Sequence, residues 1–293
     1  MSASRVLVAG AAGQLGVAIV EAFSDRAVVG LTRTALDITD PVSVERAVDA
    51  AAPDVIVNCS AFNDVDGAES RPLEALAVNA FGVRNLARQA ERVGAVLVHY
   101  ITDFVYDGTA HEPYDEDARP SPLSTYAGSK LLGEWLALEA PRAFVLRVES
   151  LFGTPRGWRG RRGSLDGIVE RLEAGTEVTV FTDRVVSPSY TVDVARATRH
   201  LVDSGAAPGL YHCVNGGAAT WHDVALETAR VLGVEARLRP LKMADVVFTA
   251  VRPRYCALAN RKLATAGCTM PAWQDALRRW LAARDGMTHA SNE

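Results

Sequence analysis

Two residues near the middle of the chain have the spacing of an acid–base pair. Tyr126 and Lys130 lie four positions apart in the segment STYAGSK, and at that spacing two helical side chains share one face. A phenol has a pKa of about 10, but a nearby ammonium group stabilises the phenolate and lowers that pKa. We therefore predict that Tyr126 exchanges a proton with a carbonyl or alcohol oxygen while a hydride moves at the carbon.

A threonine at the end of an apolar run is the third candidate for chemistry. Thr102 follows the run AVLVHYI, and its hydroxyl can hydrogen-bond the same oxygen that Tyr126 protonates. The alternative is a strand-ending turn in which Asp103 binds backbone N–H groups. The presence of Tyr126 and Lys130 favours the catalytic interpretation.

A glycine-rich turn near the N-terminus predicts a dinucleotide site. The segment VLVAGAAGQLGVAIV carries Gly10, Gly13 and Gly16, with Gln14 and Leu15 inside the loop. Glycines let the backbone turn sharply and approach a pyrophosphate, and the following helix dipole favours its negative charge. The spacing is GxxGxxG rather than the GxGxxG of many dehydrogenases. We predict cofactor binding, with close packing alone as the alternative.

The next strand bears on which nicotinamide cofactor binds. An NAD site usually carries Asp or Glu about 20 residues further on, for the ribose 2′-hydroxyl. Thr32 and Arg33 occupy that place here. A hydroxyl and a guanidinium suit a 2′-phosphate better than a diol, so we predict NADPH. Two alternatives stay open: NADH as the cofactor, and Arg33 as an exposed loop arginine that does not contact the cofactor.

The elements that must position these residues alternate between strands and helices. Helical-period segments separate five short apolar runs, which are RVLVAG, AVVGLT, DVIVNCS, AVLVHYIT and AFVLRVES. This alternation predicts an α/β fold, a doubly wound parallel Rossmann-like sheet over residues 1–150, with ligands at the carboxyl ends of its strands. Residues 151–293 are predicted to form a smaller α/β substrate-binding domain, from which segments near 176–204 return to the Rossmann sheet.

Composition argues against several kinds of partner. The net charge of −4 lacks the basic excess of a nucleic-acid surface. No apolar run approaches the roughly 20 residues that cross a bilayer, and no signal peptide is evident, so we expect a cytoplasmic protein. The 4 cysteines and 6 histidines lack metal-ligand spacing, so neither a disulfide framework nor a metal is predicted. A homodimer is left open.

Taken together, these motifs resemble the extended short-chain dehydrogenase/reductases and, among them, the dTDP-4-dehydrorhamnose reductase family. The resemblance covers nearly the whole chain in the family's order. The segments that carry it are GAAGQLG, LDITD, PDVIVNCSAF, VDGAES, VNAFGVRNLA, TDFVYDG, PYDEDARPSPLSTYAGSKLLGE, GLYHCVNGGAATWHDVA and RPRYCALANRKL. The resemblance implies NADPH-dependent reduction of the 4-keto group of a dTDP-6-deoxyhexose, dTDP-4-dehydro-L-rhamnose to dTDP-L-rhamnose, with Tyr126 as the proton donor.

The resemblance also implies roles for individual residues. Lys130 would hold the nicotinamide ribose and lower the pKa of Tyr126, while Thr102 and Asp103 would contact the sugar. The implied cofactor contacts are Asp37 and Ile38 at the adenine, Ala61 and Phe62 at the pyrophosphate and ribose, and Tyr100 at the nicotinamide.

Departures from the family pattern fall in the sugar half of the site. The family often has RTSW where this chain has Arg147-Val-Glu-Ser150, so an aromatic residue is lost and Glu149 is added. An acidic residue near a sugar accepts hydroxyl hydrogen bonds, which suggests a different hydroxyl pattern; a structural glutamate paired with an arginine is the alternative. Phe104 replaces the usual tyrosine, and Asp103-Phe104 in place of the Asp-Glu of a related dehydratase family disfavours dehydration.

Arginines suggest where the nucleotide lies. The loop over residues 156–162 brings four arginines together, and arginine pairs well with diphosphates, so this loop is either a lid over the nucleotide or a solvated loop. Arg252 is a further candidate for the nucleotide end.

Two other functions stay open. The chemistry fits a 4-ketoreductase for another nucleotide deoxysugar in natural-product tailoring. The chain also resembles the regulatory subunit of methionine adenosyltransferase, a non-catalytic NADP-binding protein, although an intact Thr102, Tyr126 and Lys130 set favours an enzyme.

Overall fold

The computed structural model describes residues 4–153 and 163–289, with side chains to residue 284. Its strands are β1 (Arg5–Ala9), β2 (Ala27–Leu31), β3 (Val55–Asn58), β4 (Val96–Thr102), β5 (Ala143–Val148), β6 (Leu151–Phe152), β7 (Val178–Phe181), β8 (Val185–Val186), β9 (Ser189–Tyr190), β10 (Gly209–His212), β11 (Ala219–Thr220) and β12 (Leu238–Leu241).

The α-helices of the described residues are α1 (Gln14–Ala22), α2 (Pro41–Ala51), α3 (Val65–Ser70), α4 (Pro72–Leu76), α5 (Gly82–Val93), α6 (Thr125–Ala137), α7 (Ser164–Glu173), α8 (Thr191–Asp203), α9 (Trp221–Leu232), α10 (Arg261–Thr265) and α11 (Trp273–His289). A π-helical turn, Ala77–Phe81, joins α4 to α5, and short 3₁₀ turns lie at Asp103–Val105 and Met243–Asp245. Within the described ranges, no helix is long and apolar enough to span a bilayer.

Six parallel strands form the central sheet in the order β10-β5-β4-β3-β1-β2. The chain moves outward from β1 to β2 and then returns to place β3 on the other side of β1. In such sheets ligands bind beyond the carboxyl ends of the strands at the point where the order reverses. The topology confirms the predicted doubly wound parallel sheet and directs attention to the loops after β1 and β3.

Helices cover both faces of the sheet, which explains why its inner strands are apolar throughout. Alternate residues point to opposite faces, so Leu7 and Ile56 pack under α2, α5 and α6, while Val8 and Val57 pack under α1 and α8. These two clusters fix the carboxyl ends of β1, β3 and β4, where the candidate residues lie.

A separate apolar cluster holds the C-terminal elements together. It joins α7, α9 and α11 to β7 and β12 around buried tryptophans. Trp273 and Trp280 belong to it, as do Leu277 and Leu281. The stripe on α11 is therefore core. Helix α9 begins after Thr220, whose hydroxyl accepts from the Asp223 N–H in a capping box.

The prediction that segments near 176–204 return to the Rossmann sheet is wrong for the strand. Strand β7 pairs with β12, because its residues alternate between buried and exposed, whereas a sheet covered on both faces needs apolar residues at every position. Helix α8 does return and packs on α1. The strand that rejoins the sheet is β10, which pairs with β5. The domain boundary at residue 150 stays a prediction.

Candidate active site

Two adjoining cavities lie at the carboxyl ends of the strands, where the strand order reverses. The first, of about 350 Å³, and the second, of about 450 Å³, share Gly13 and the segment 59–61 after β3. Among the predicted residues, Gly10, Gly13, Arg33, Asp37, Ile38, Ala61 and Phe62 line the first cavity. Gly13, Gln14, Leu15, Gly16, Ala61, Tyr100, Thr102, Asp103, Tyr126, Lys130, Glu149 and Arg252 line the second.

The glycine loop has a conformation that side chains would block. Gly10 has a φ of +76°, and a Cβ there would lie 2.9 Å from the Cys59 carbonyl carbon. A Cβ on Gly16 would lie 2.2 Å from the Gly10 oxygen. Helix α1 starts directly behind the loop, with Gly13 at its N-cap and no side-chain cap. This uncapped helix N-terminus at the cavity wall suits a pyrophosphate.

The far end of the first cavity carries the residues predicted to contact the adenosine. Arg33 is exposed there beside Thr32. The Asp37 carboxylate accepts hydrogen bonds from the Thr39 N–H at 2.9 Å and hydroxyl at 2.7 Å, which together lower the pKa of Asp37. Ile38 is buried. This wall therefore presents a cation to the ligand, while the nearest carboxylate is engaged by Thr39.

Sequence reasoning missed the role of Asn79, which holds the loop after β3. Its amide accepts from the Phe62 N–H at 2.8 Å and donates to the Phe62 carbonyl at 3.1 Å and to the Ser129 hydroxyl at 3.0 Å. Asn79 lies in the π-helical turn, a feature common at functional sites. The only signal was its place in the matching segment VNAFGVRNLA. The asparagine ties the wall formed by Ala61 and Phe62 to helix α6.

Helix α6 begins after the Ser124 N-cap and brings Tyr126 and Lys130 into the second cavity. Both side chains are buried. The Lys130 Nζ donates to the Tyr100 carbonyl at 2.6 Å, and burial lowers the pKa of Lys130 to about 7. The Tyr100 hydroxyl lies 2.6 Å from the Thr198 hydroxyl in the core. Tyr100 therefore contributes its backbone carbonyl and its ring to the site, and not its hydroxyl.

The pKa of Tyr126 differs from the sequence-based expectation. Burial raises that pKa, the negative charge of Asp103 raises it further, and the neighbouring Thr102 hydroxyl opposes them. The predicted lowering by Lys130 is therefore wrong for the protein alone, because the ammonium group is directed to the Tyr100 carbonyl. A raised pKa keeps the phenol protonated at neutral pH, which is the form that a proton donor requires.

Thr102 combines the two interpretations that the sequence left open. Its hydroxyl accepts from the Phe104 N–H at 3.2 Å, capping the 3₁₀ turn, and donates to Asp103 Oδ1 at 2.9 Å. Phe104 packs edge-to-face on Tyr126 with ring centroids 5.8 Å apart. The Arg184 guanidinium lies 5.3 Å from the Phe104 ring centroid. Sequence reasoning missed Arg184, which no local motif marks.

Glu149 is buried at the end of β5, in the wall of the second cavity. Its Oε2 accepts from the Ser187 N–H at 2.7 Å. The neighbouring Arg147 pairs instead with Glu134 at 2.7 Å and 3.0 Å. Arg147 is therefore not the partner of Glu149. Burial raises the pKa of Glu149, and the arginine whose charge opposes this shift is Arg184, so a structural glutamate beside an arginine stays an alternative.

Arg252 is engaged by an acidic partner. Its guanidinium makes two hydrogen bonds to the Asp66 carboxylate, at 2.9 Å and 2.6 Å, and stacks 4.6 Å from the Phe248 ring centroid. It lies between the second cavity and an adjoining groove of about 890 Å³. The structure thus places Arg252 at the mouth of the second cavity. The predicted arginine-rich loop, residues 156–162, lies outside the described residues.

Comparison with known proteins agrees with this geometry. The family model described as the RmlD substrate binding domain matches residues 4–285. The chain is 37% identical to the dTDP-4-dehydrorhamnose reductase of Mycolicibacterium smegmatis over 294 residues, which cover 98% of this chain and 88% of that protein. It is 36% identical to the dTDP-4-keto-6-deoxy-D-glucose reductase of Streptomyces niveus over 285 residues, which cover 95% and 94%.

Solved structures give the same result for the fold. The crystal structure of dTDP-4-dehydrorhamnose reductase from Bacillus anthracis in complex with NADP superposes with a TM-score of 0.90 at 29% identity, covering 97% of this chain and 100% of that one. The resemblance found in the sequence is confirmed over its whole length. The chain belongs to the RmlD substrate-binding family of dTDP-4-dehydrorhamnose reductases.

Proposed function

We propose that the protein is an NADPH-dependent reductase of the 4-keto group of a dTDP-6-deoxyhexose, converting dTDP-4-dehydro-L-rhamnose to dTDP-L-rhamnose. The observation that carries this proposal is the convergence of Thr102, Tyr126 and Lys130 on one cavity that continues into the glycine loop. Relatives at 36–37% identity bear reductase names for this class of sugar.

The chain's own residues account for binding and proton transfer. The glycine loop and the N-terminus of α1 fit a pyrophosphate, and Arg33 fits a 2′-phosphate. The bound dihydronicotinamide supplies the hydride for C4 of the sugar. Tyr126 gives its phenolic proton to O4, the Thr102 hydroxyl stabilises the developing negative charge on that oxygen, and Lys130 holds the nicotinamide ribose.

One assay tests the function and separates it from a purely regulatory role. The purified protein is expected to oxidise NADPH only when dTDP-4-dehydro-L-rhamnose is added, followed as loss of absorbance by the reduced nicotinamide. Tight NADPH binding with no oxidation on any 4-keto nucleotide sugar would instead favour the non-catalytic alternative. The same assay with NADH measures the cofactor preference.

A second candidate keeps the chemistry and changes the sugar. Glu149 and Phe104 stand in the wall of the second cavity where the family pattern has other residues, and the Streptomyces niveus relative is named for a different 4-keto sugar. Comparing kcat/KM on dTDP-4-keto sugars that differ at C2, C3 or C5 decides between the two. A clear preference for the rhamnose precursor removes this candidate.

Arg33 is predicted to determine the preference for NADPH over NADH. Arg33→Ala removes a charged hydrogen bond to the 2′-phosphate, worth about 1.5–3 kcal/mol, so the Kd for NADPH should rise roughly 10- to 100-fold while that for NADH barely changes. Arg46→Ala, at an exposed position of α2, is the control. Equal losses for the two cofactors would show that Arg33 does not contact the 2′-phosphate.

A cytoplasmic location and a homodimer stay predictions from the sequence. Sedimentation of the purified protein tests the second of these directly.

A further inference from the structure

Two buried carboxyl groups lie close together in the wall of the second cavity. Asp103 and Glu149 are 3% and 2% exposed, and one carboxylate oxygen of each lies, with the Cys256 sulfur, in a group whose atoms are all within 4.8 Å of one another. Asp103 Oδ2 and Glu149 Oε1 have no hydrogen-bond partner among the described residues and no contact with solvent. Two buried carboxyl groups this close, each with an unpartnered oxygen, are expected to hold a hydrogen or a cation.

The charges around the pair favour a proton over a metal ion. Burial and the charge of Asp103 raise the pKa of Glu149, and burial raises the pKa of Asp103, while the positive charge of Arg184 opposes both shifts. One guanidinium beside two carboxylates leaves a buried negative charge, which a single proton neutralises. A divalent cation would have to displace that proton and approach Arg184. The Cys256 thiol donates to the Pro253 carbonyl at 3.5 Å, and burial raises its pKa well above the ordinary value.

The pair is connected to the proton donor. Asp103 Oδ1 accepts from the Thr102 hydroxyl at 2.9 Å. The Thr102 and Tyr126 side chains line the same cavity, and Thr102 opposes the rise that burial causes in the pKa of Tyr126. Glu149, Asp103, Thr102 and Tyr126 are thus four neighbouring groups, each of which can give and take a proton. Ser150 follows Glu149 with a φ of +43°, a conformation that is uncommon for residues other than glycine and that clusters at active sites.

We propose that Asp103 and Glu149 share one proton, and that this proton passes through the Thr102 hydroxyl to restore Tyr126 after Tyr126 has protonated the substrate oxygen. The second half of the proposal rests on the proposed function. Glu149 is then a proton-supplying residue. The serine that the family pattern often has at this position carries no acidic group that could supply this proton.

The proton balance closes without a further reactant. Hydride transfer reduces the carbonyl carbon and oxidises the nicotinamide, while the Tyr126 O–H bond breaks and an O–H bond forms on the sugar. The phenolate next takes the Thr102 hydrogen, and Thr102 takes the proton held between the carboxyl groups. One proton from solvent then returns to the pair when product leaves.

Several groups set the proton affinity of the pair. The positive charge of Arg184, between β7 and β8, lowers the proton affinity. The other neighbouring groups are neutral: the Tyr126 phenol on α6, the Tyr255 phenol and the Cys256 thiol. Burial and the charges of the carboxyl pair raise the pKa of each of these three groups. Because burial raises the pKa of both carboxyl groups, we expect the pair to lose its proton only at a higher pH than an ordinary carboxyl group does. Turnover that depends on the relay should therefore also decrease as the pH rises.

Infrared spectroscopy of the full-length protein tests the shared proton without any substrate. At pH 7 the wild type should show the C=O stretch of one neutral carboxylic acid, shifted in D₂O. The band should disappear in Glu149→Gln and, independently, in Asp103→Asn, since the remaining carboxyl group then ionises beside Arg184. Cys256→Ala should keep the band. A wild type without the band, or a bound metal ion that Cys256→Ala releases, would overturn the proposal.

Burst kinetics test the relay. In Glu149→Gln the first turnover of NADPH oxidation should stay within about threefold of the wild type, because Tyr126 starts protonated. The following steady-state rate should drop on the order of tenfold, less than for loss of the direct proton donor. A steady-state rate equal to that of the wild type refutes the relay. If the wild type itself turns over no nucleotide sugar, the proposed function fails while the infrared band still decides the shared proton.

Discussion

Replacing Tyr126 with phenylalanine should lower kcat by about 10²- to 10⁴-fold, the usual contribution of a positioned general acid. The phenol is buried against Phe104, so the change removes one oxygen and leaves the packing of the rings intact. NADPH binding, measured by fluorescence titration, should remain within about twofold of the wild type, because the glycine loop and Lys130 are unaltered.

A matched variant controls for loss of a buried hydroxyl. Tyr211 lies on β10, away from both cavities, and its phenol donates to the Ala207 carbonyl at 2.6 Å. Tyr211→Phe should therefore leave kcat unchanged. Full activity of Tyr126→Phe would rule out Tyr126 as the proton donor. A loss of NADPH binding in that variant would point instead to a disturbed cofactor site.

Removing Glu134 should destabilise the fold by about 3–5 kcal/mol, the cost of leaving a buried charge without its partner. The Glu134 and Arg147 side chains are 4% and 2% exposed, and the Arg147 guanidinium also donates to the Tyr106 hydroxyl. Glu134→Leu deletes the carboxylate and leaves Arg147 charged between α6 and β5. The free energy of unfolding from urea denaturation measures the loss.

An exposed pair of similar geometry provides the comparison. Glu227 and Arg230 on α9 also make two hydrogen bonds, both of 2.7 Å, but the arginine is 63% exposed. Glu227→Leu should therefore cost less than about 1 kcal/mol. If Glu134→Leu costs no more than this control, the buried pair contributes nothing specific to the position of helix α6.

The sequence predicted the parts of the site that local pattern determines. Strand and helix periodicity gave the parallel sheet, the glycines gave the loop after β1, and four-residue spacing put Tyr126 and Lys130 on one face of α6. Each of these depends on residues that are close in the chain. The family resemblance then supplied the expected roles, and the structure places every predicted residue within its described ranges on the two cavities.

What the sequence could not predict depends on contacts between distant segments. Arg184 reaches Phe104 from 80 positions away, and Asn79 reaches Ser129 across 50. The pKa of Tyr126 depends on how deeply α6 is buried and on where the Lys130 ammonium points, neither of which spacing fixes. The pairing of β7 with β12 escaped for the same reason, since only a partner strand far along the chain decides it.

The double anchoring of Asn79 has a consequence for how this protein can diversify. The same amide holds the loop at Phe62 and the hydroxyl of Ser129, and a Cβ on Gly133 would lie 1.9 Å from the Asn79 oxygen. The turn and helix α6 are thus in backbone contact, so the wall formed by Ala61 and Phe62 and the helix that carries Tyr126 form one block. Substitutions in the opposite wall of the second cavity therefore leave the relative position of helix α6 and the loop at Phe62 unchanged.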